Sequence, residues 1–406
     1  MNILFLTLVD FNSIEERGIY TDLLREFVKH NHNVYIVSPV EARKNIDTHL
    51  ITKDRVTILK QKIGNIQKIN VIEKGIATIT LENRIINGIK KYFSNVKFDL
   101  VLYSTPPITL CSAIEYVKKR DNAKTYLMLK DIFPQNAVDL GMLSKSGIKG
   151  LIYKYFRNKE KKLYEISDRI GCMSQANVDY VLKHNPEVVP EKVEICPNAI
   201  EVIDMRLSED DKIKMRQKYQ IPLDKKVFVY GGNLGKPQGI SFLVECLKSQ
   251  LDKEDAFFLI VGSGTEFYVL DKFFNEYKPS NMRLMKSLPK EDYDRMIAAC
   301  DIGMIFLDYR FTIPNFPSRL LSYMQAGLPV LACTDKNTDI GKVIAEGGFG
   351  WWCESREVDQ FSKLVYSIIG NNKSGENSVL YLRNNFDVKK VYKFIFGDLS
   401  NEGIND

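Results

Sequence analysis

Residues 314–329 read Pro-Asn-Phe-Pro-Ser-Arg-Leu-Leu-Ser-Tyr-Met-Gln-Ala-Gly-Leu-Pro. They lie between two apolar runs, Ile302 to Leu307 and Pro329 to Cys333, each the length of a buried strand. A polar loop that opens a helix between two buried strands is the unit with which doubly wound α/β sheets bind ligands. Ser318 and Arg319 fall at the expected helix start. There, free backbone N–H groups and the helix dipole attract anions, and a guanidinium can fork onto phosphate oxygens. Ala326-Gly327-Leu328-Pro329 then ends the helix and releases the next strand. Taken alone, the window also reads as an ordinary helix cap.

Working outward, the same alternation fills the chain. In the first half, Ile3 to Val9, Asn33 to Ser38, Asp99 to Ser104, Thr125 to Leu129, Arg169 to Met173 and Val193 to Cys196 read as strands. Ile19, Leu23, Leu24, Phe27 and Val28 form one face of an intervening helix. The pattern restarts with Lys226 to Tyr230, Phe257 to Val261, Arg283 to Met285, Gly303 to Phe306 and Val330 to Cys333, separated by helical stretches near 239–250, 290–299 and 318–326. Two parallel sheets covered by helices are expected, hence two Rossmann-like domains over residues 1–200 and 201–385. The boundary is expected in the charged segment Glu201 to Lys226. Residues 386–406 are expected to contain a C-terminal helix, because Val388, Val391, Tyr392, Phe394 and Ile395 have helical spacing, and that helix could pack back on the first domain.

With 406 residues the chain is long for a single core, and its 45% hydrophobic and 27% charged residues are those of a globular protein. Met1-Asn2 runs directly into an apolar strand with no basic leader, so a cytoplasmic protein is expected. Seven scattered cysteines and four histidines, with no Cys-x-x-Cys, point to reduced core thiols and to no metal site. The net charge of +6 is unevenly placed. Lys149, Lys154, Arg157, Lys159, Lys161 and Lys162 interleave with Leu151, Ile152, Tyr153, Tyr155, Phe156 and Tyr164. That pattern suits an anionic membrane surface, with a solvated helix face as the alternative. No nucleic-acid partner is indicated.

Two further strand ends carry glycine-rich loops. Tyr230-Gly231-Gly232-Asn233-Leu234-Gly235-Lys236-Pro237-Gln238-Gly239 would let backbone N–H groups approach a diphosphate while Lys236 supplies a point charge. It matches neither the P-loop nor the dinucleotide fingerprint, which sets kinases and ATPases aside. A structural glycine turn is the plain alternative. Gly262-Ser263-Gly264-Thr265-Glu266 ends the next strand. Three loops at one sheet edge are compatible with one nucleotide diphosphate.

With these motifs quoted, the chain resembles glycosyltransferase family 4, and more narrowly the subgroup that builds bacterial capsule and O-antigen units. The resemblance rests on residues 230–239, Ile-Val-Gly-Ser-Gly-Thr-Glu (260–266), Leu-Pro-Lys-Glu-Asp-Tyr (288–293) and Pro-Ser-Arg-Leu-Leu-Ser-Tyr-Met-Gln-Ala-Gly-Leu-Pro-Val (317–330). In the first half it rests on residues 16–27, 99–109 and Lys-Asp-Ile-Phe-Pro-Gln-Asn-Ala-Val-Asp-Leu-Gly (130–141).

The resemblance implies a GT-B fold of two facing Rossmann-like domains and a retaining, metal-independent transfer from a nucleotide sugar, with UDP-sugar the expected donor and no cofactor. Lys236 and Arg319 are the candidates for stabilising the departing diphosphate. Gly232, Asn233, Gly262, Asn315, Ser318 and Ser322 are further donor-side candidates, with Ser287 and Leu288 near the base. Arg17, Gly18, Thr105 and Lys130 are acceptor-side candidates. Asp131 is a candidate general base, with a helix-capping carboxylate as the alternative. The implied acceptor is a polyprenyl-diphosphate-linked saccharide at the inner membrane face, and the implied sugar an N-acetylated 6-deoxyhexosamine such as N-acetylfucosamine. A nucleotide-sugar 2-epimerase and a non-catalytic partner in an assembly complex are the competing readings. Two departures stand out. The family's Glu-x7-Glu pair falls on Pro314 and Ser322, and its lysine before a glycine falls on Gln238.

Overall fold

A computed structural model describes residues 1–65, 71–370 and 375–401. The chain divides into two compact units, Met1–Glu201 with Val388–Asp406, and Val202–Asp387.

In the first unit the elements run β1 (Asn2–Leu6), α1 (Ile19–Lys29), β2 (Asn33–Glu41), β3 (His49–Lys53), β4 (Val56–Ile63), α2 (Val71–Tyr92), β5 (Leu100–Ser104), α3 (Cys111–Asp121), β6 (Lys124–Leu129), α4 (Gln135–Asp139), α5 (Gly147–Ile166), β7 (Arg169–Cys172), α6 (Gln175–His184) and β8 (Val193–Ile195). The sheet order is β3-β4-β2-β1-β5-β6-β7-β8, parallel except for the β3–β4 pair. Ile3, Phe5, Leu100, Leu102 and Met128 pack beneath α1 through Leu23, Leu24 and Phe27. Burying each such side chain contributes about 2 kcal/mol.

In the second unit they run α7 (Glu209–Lys218), β9 (Lys226–Asn233), α8 (Ile240–Lys248), β10 (Ala256–Ser263), α9 (Phe267–Tyr277), β11 (Met282–Met285), α10 (Lys290–Ala298), β12 (Ile302–Phe306), α11 (Arg319–Gln325), β13 (Val330–Thr334), α12 (Ile340–Gly347), β14 (Gly350–Glu354), α13 (Val358–Ile369) and α14 (Glu376–Asn385). Six parallel strands lie in the order β11-β10-β9-β12-β13-β14. The chain winds one way from β9 and the other way from β12, so the switch point between them opens a crevice at their carboxyl ends. Finally α15 (Val388–Asn401) belongs to the first unit, where Tyr392 stacks on His30 at 4.1 Å and meets Phe27 edge-on at 5.1 Å.

Three differences from the sequence expectations have local causes. The first strand stops at Leu6 rather than Val9, because the Val9 amide turns to the Thr7 hydroxyl (3.0 Å). The charged segment before Lys226 is not all linker. Its helix α7 anchors through Arg216, 5% exposed, which donates to the Ala299 carbonyl (2.8 Å) and to Asp301 (2.7 Å). The β3–β4 hairpin was absent from the strand reading, because β3 is exposed along most of its length and carries no apolar run. Of the C-terminal expectation, residues 402–406 lie outside the described residues.

Candidate active site

The strand ends of the second unit meet where glycines permit it. Gly262 pairs with Gly232 and Ser263 with Asn233 across β10 and β9. A Cβ on Gly262 would lie 2.0 Å from the Gly232 carbonyl oxygen, so the two strands can close only without one. Gly232 has φ +112°, which an L side chain rarely adopts, and a Cβ there would sit 3.8 Å from Arg319 Nη2. The guanidinium therefore lies against bare backbone at the end of β9.

Arg319 opens α11, but Ser318 makes no side-chain cap, so the ordinary capping role read as an alternative is not what Ser318 performs. The guanidinium stacks over the Tyr230 ring, 4.4 Å from its centroid, and Nη1 is buried with no hydrogen-bond partner. Among the described residues Arg319 forms no ion pair. Interior arginines are normally matched by a carboxylate, since an unpaired buried charge is expensive. Here the neighbours are phenols. Burial raises the pKa of Tyr230, of Tyr293 and, to about 12, of Tyr323, so all three are neutral at physiological pH.

Lys236 starts a short turn after Gly235 and is exposed, and among the described residues its ammonium has no partner. Gln238, at the position of the family's lysine, holds that loop: its Oε1 accepts from Asn233 Nδ2 (3.0 Å) and from the Gly235 amide (3.2 Å). Ser287 donates to Ser263 (2.8 Å), which ties the loop after β11, including Leu288, to the end of β10. The Asn315 carbonyl accepts from Thr338 (2.6 Å), and Ser322 is half-buried one turn along α11 from Ser318. Gly232, Gly262, Arg319, Asn233 and Ser287 are thus brought to the carboxyl edge of β9, β10 and β11. The tyrosines escaped the sequence reading. Their signals were Tyr230 directly before Gly231 and Tyr323 four residues after Arg319, on the same helix face.

In the first unit, Thr105 is 1% exposed and staples the loop after β6. Its hydroxyl donates to the Asp131 carbonyl (2.9 Å) and accepts from the Lys130 amide (3.0 Å) and the Asp131 amide (3.2 Å). Burial pushes the Asp131 carboxyl up to about 6, against hydrogen bonds from the Ile132 backbone and the Asn136 side chain (2.6 Å). Asp131 is not the cap of α4, whose N-cap is Pro134. Lys130 turns its ammonium toward the Cys196 carbonyl (3.5 Å), and burial lowers its pKa. Arg17 donates to the Glu201 carbonyl (3.1 Å), and the Gly18 amide donates to Asp22 (2.9 Å). Lys130 and Arg17 therefore serve, in part, to hold the chain.

On α5, Ile148, Leu151, Ile152 and Tyr155 are 83%, 68%, 44% and 45% exposed. They form a stripe at helical spacing open to solvent. The basic set read there divides. Arg157 pairs with Glu160, Lys159 with Glu82, Lys161 with Glu187 and Lys162 with Glu165. Lys149 and Lys154, beside the stripe, pair with nothing among the described residues. No described helix is long and apolar enough to cross a membrane. Among the described residues no group of three His, Cys, Asp or Glu side chains is placed to hold a metal ion.

Comparison with known proteins agrees with this architecture. Residues 211–384 match the family model Glycosyl transferases group 1. The probable glycosyltransferase WbjE of Pseudomonas aeruginosa is 26% identical over 272 residues, 66% of this chain and 66% of the relative. The putative colanic acid biosynthesis glycosyl transferase WcaI of Escherichia coli (strain K12) is 22% identical over 251 residues, 61% of this chain and 60% of the relative. The chain thus spans slightly under two thirds of the length of the curated relatives it matches. The crystal structure of Anabaena Alr3699/HepE in complex with UDP and glucose superposes with a TM-score of 0.70 at 16% identity, covering 99% of this chain and 100% of that one. The fold is GT-B, with two Rossmann-like domains.

Proposed function

We propose that this GT-B chain is a glycosyltransferase of polysaccharide biosynthesis that takes a UDP-sugar at the carboxyl edge of β9, β10 and β11 and transfers the sugar with retention. The observation that carries the reading is Arg319, a guanidinium against the glycine-built end of β9 with a buried, unsatisfied Nη1 and no carboxylate partner. Such a cation is unfinished without an anion, and a diphosphate is the anion that the Gly231–Gly239 loop suits. The match to Glycosyl transferases group 1 over residues 211–384 and the UDP bound by HepE support the same choice. Arg319 and Lys236 would neutralise the leaving UDP, and that phosphate would take the acceptor proton. With charge supplied by side chains, EDTA should leave the rate essentially unchanged. An absolute requirement for magnesium or manganese in a chelator titration would contradict this role.

Asp131 of the first unit is the candidate for orienting the acceptor hydroxyl, as the ionised carboxylate that accepts its hydrogen bond before the proton passes to the leaving phosphate. Its raised pKa gives a signed expectation. The folded state holds the proton more tightly than the unfolded chain, whose carboxyl titrates near 3.8, so ionisation costs stability as pH rises from about 4 through about 6. Asp131→Asn should therefore melt higher than the parent at pH 7.5 and equally near pH 4, while transfer falls ~10-fold or more at neutral pH. Parental activity should decline as pH falls through about 6. Melting curves at both pH values and a pH–rate profile test this, and a variant with parental rate and profile would remove Asp131 from the mechanism.

A lipid-linked acceptor, polyprenyl-diphosphate saccharide, fits the exposed stripe of α5. Leu151, Ile152 and Ile148 would enter the interface while Lys149 and Lys154 meet anionic headgroups, each cation worth about 1 kcal/mol. Changing Ile148, Leu151 and Ile152 to Ser together with Lys149 and Lys154 to Gln should abolish sedimentation with phosphatidylglycerol vesicles. It should spare transfer to a short water-soluble acceptor. Unchanged vesicle binding would sink the membrane reading. An N-acetylated 6-deoxyhexosamine such as N-acetylfucosamine remains the sugar proposed.

A further inference from the structure

Three tyrosines from three elements lie around Arg319, and glycines make the space for two of them. Tyr230, three residues before the end of β9, carries the guanidinium over its ring, 4.4 Å from the centroid. Tyr323, one turn after Arg319 on α11, is fully buried. Its hydroxyl accepts from the Gly231 amide (3.0 Å) and donates to the Met304 carbonyl (3.1 Å), bridging β9 and β12 at the switch point. Its ring occupies the room left by Gly303, where a Cβ would approach it to 2.4 Å. Tyr293 of α10 lies against Gly231, where a Cβ would come 1.9 Å from its hydroxyl. A carboxylate in any of these positions would pair with the guanidinium and cancel the charge offered to a ligand. The face of the Tyr230 ring stabilises the cation, and neutral phenols leave it uncompensated.

We infer that Tyr230, Tyr293 and Tyr323 are positioning residues that hold Arg319 charged, planar and unpaired at the end of β9, so that it engages the diphosphate of the donor. The inference rests on the donor reading above and adds to it a division of labour. Tyr230 fixes the plane of the guanidinium. Tyr323 fixes the Gly231–Gly232 backbone that the guanidinium lies against, and Tyr293 closes the remaining side. Lysine could not replace Arg319 here, because an ammonium has no plane to stack and no fork for two phosphate oxygens.

The test compares UDP with uridine, which lacks the charge that Arg319 is held to meet. In the full chain, Tyr323→Phe and Tyr230→Leu should each weaken UDP binding in calorimetry about tenfold. Arg319→Lys should weaken it at least as much. Uridine binding, followed by NMR titration, should stay within about twofold of the parent in all three, since only the diphosphate contact is lost. Equal weakening of UDP and uridine would make the tyrosines general supports of the fold and overturn the inference. Parental UDP affinity in Tyr323→Phe and Tyr230→Leu would overturn it as well, while a loss in Arg319→Ala alone would leave the donor reading standing. Should the parent bind neither UDP, GDP nor ADP, the donor reading and this inference fall together. Tyr293→Phe, which keeps the ring, provides the milder control. It should change UDP affinity less than Tyr230→Leu, and the reverse order would count against the division of labour.

Discussion

Arg319→Ala is expected to reduce sugar transfer by ~10- to 1000-fold, the range for removing one preorganised group that stabilises developing charge. The expectation follows from the arrangement rather than from the residue type alone. The guanidinium is part-buried, stacked on Tyr230 and unpaired at its buried Nη1, so it needs little reorganisation when a diphosphate arrives. Lys236→Ala should fall toward the lower end of that range, because its ammonium is exposed and must be ordered on binding. Both variants should fold, since neither side chain carries an ion pair among the described residues. Steady-state rates at saturating and subsaturating donor, with circular dichroism as a fold control, check the pair. Two variants with parental kcat and KM would remove the diphosphate site from this edge of the sheet.

Gly262→Ala is expected to have the second large effect, through backbone rather than charge. The new methyl group would stand 2.0 Å from the Gly232 carbonyl oxygen, far inside contact distance, and both atoms belong to paired strands that cannot swing aside. Relief requires β9 and β10 to part near their carboxyl ends. Overpacking of this kind costs about 1–3 kcal/mol. The displacement also falls on the Gly232 backbone beside Arg319, so donor affinity should drop more than stability alone explains. Thermal melting and UDP calorimetry on the same preparation test this. A variant that melts lower yet binds UDP like the parent would separate Gly262 from the site.

Much of this architecture was legible in the chain because buried parallel strands are short apolar runs. The runs from Lys226 to Tyr230 and Phe257 to Val261 match the cores of β9 and β10. The strands extend three and two residues further, through Gly231 to Asn233 and Gly262 to Ser263, because glycine backbone can pair without a side chain to announce it. The hairpin strand β3 was not legible, since its pattern is set by pairing with β4 rather than by burial. Nor was α7, whose sequence has almost no apolar face and which docks through the buried Arg216 and its part-buried partner Asp301.

The site divided in the same way. Glycines and cations at strand ends pointed to the right sheet edge, because a diphosphate needs bare backbone and positive charge. Of the surroundings of Arg319 only Tyr323, one helical turn along α11, is close in sequence; Tyr230 and Tyr293 reach it through the order of β9, α10 and α11. Gln238 shows the limit of position-by-position comparison. Where the resembling family has lysine, this chain uses an amide to brace its own loop through Asn233 and Gly235. On α5, charge counting pointed to six cations, and ion pairing leaves Lys149 and Lys154 beside the open stripe.

The most direct measurement is mass spectrometry of the full chain incubated with a panel of UDP-, GDP- and ADP-sugars and a polyprenyl-diphosphate monosaccharide, with Arg319→Ala run in parallel. The account predicts an acceptor heavier by one sugar residue, with free UDP released from one UDP-sugar by the parent and little by the variant. Conversion of a donor to its epimer without acceptor, or no consumption of any nucleotide sugar by the parent, would contradict it.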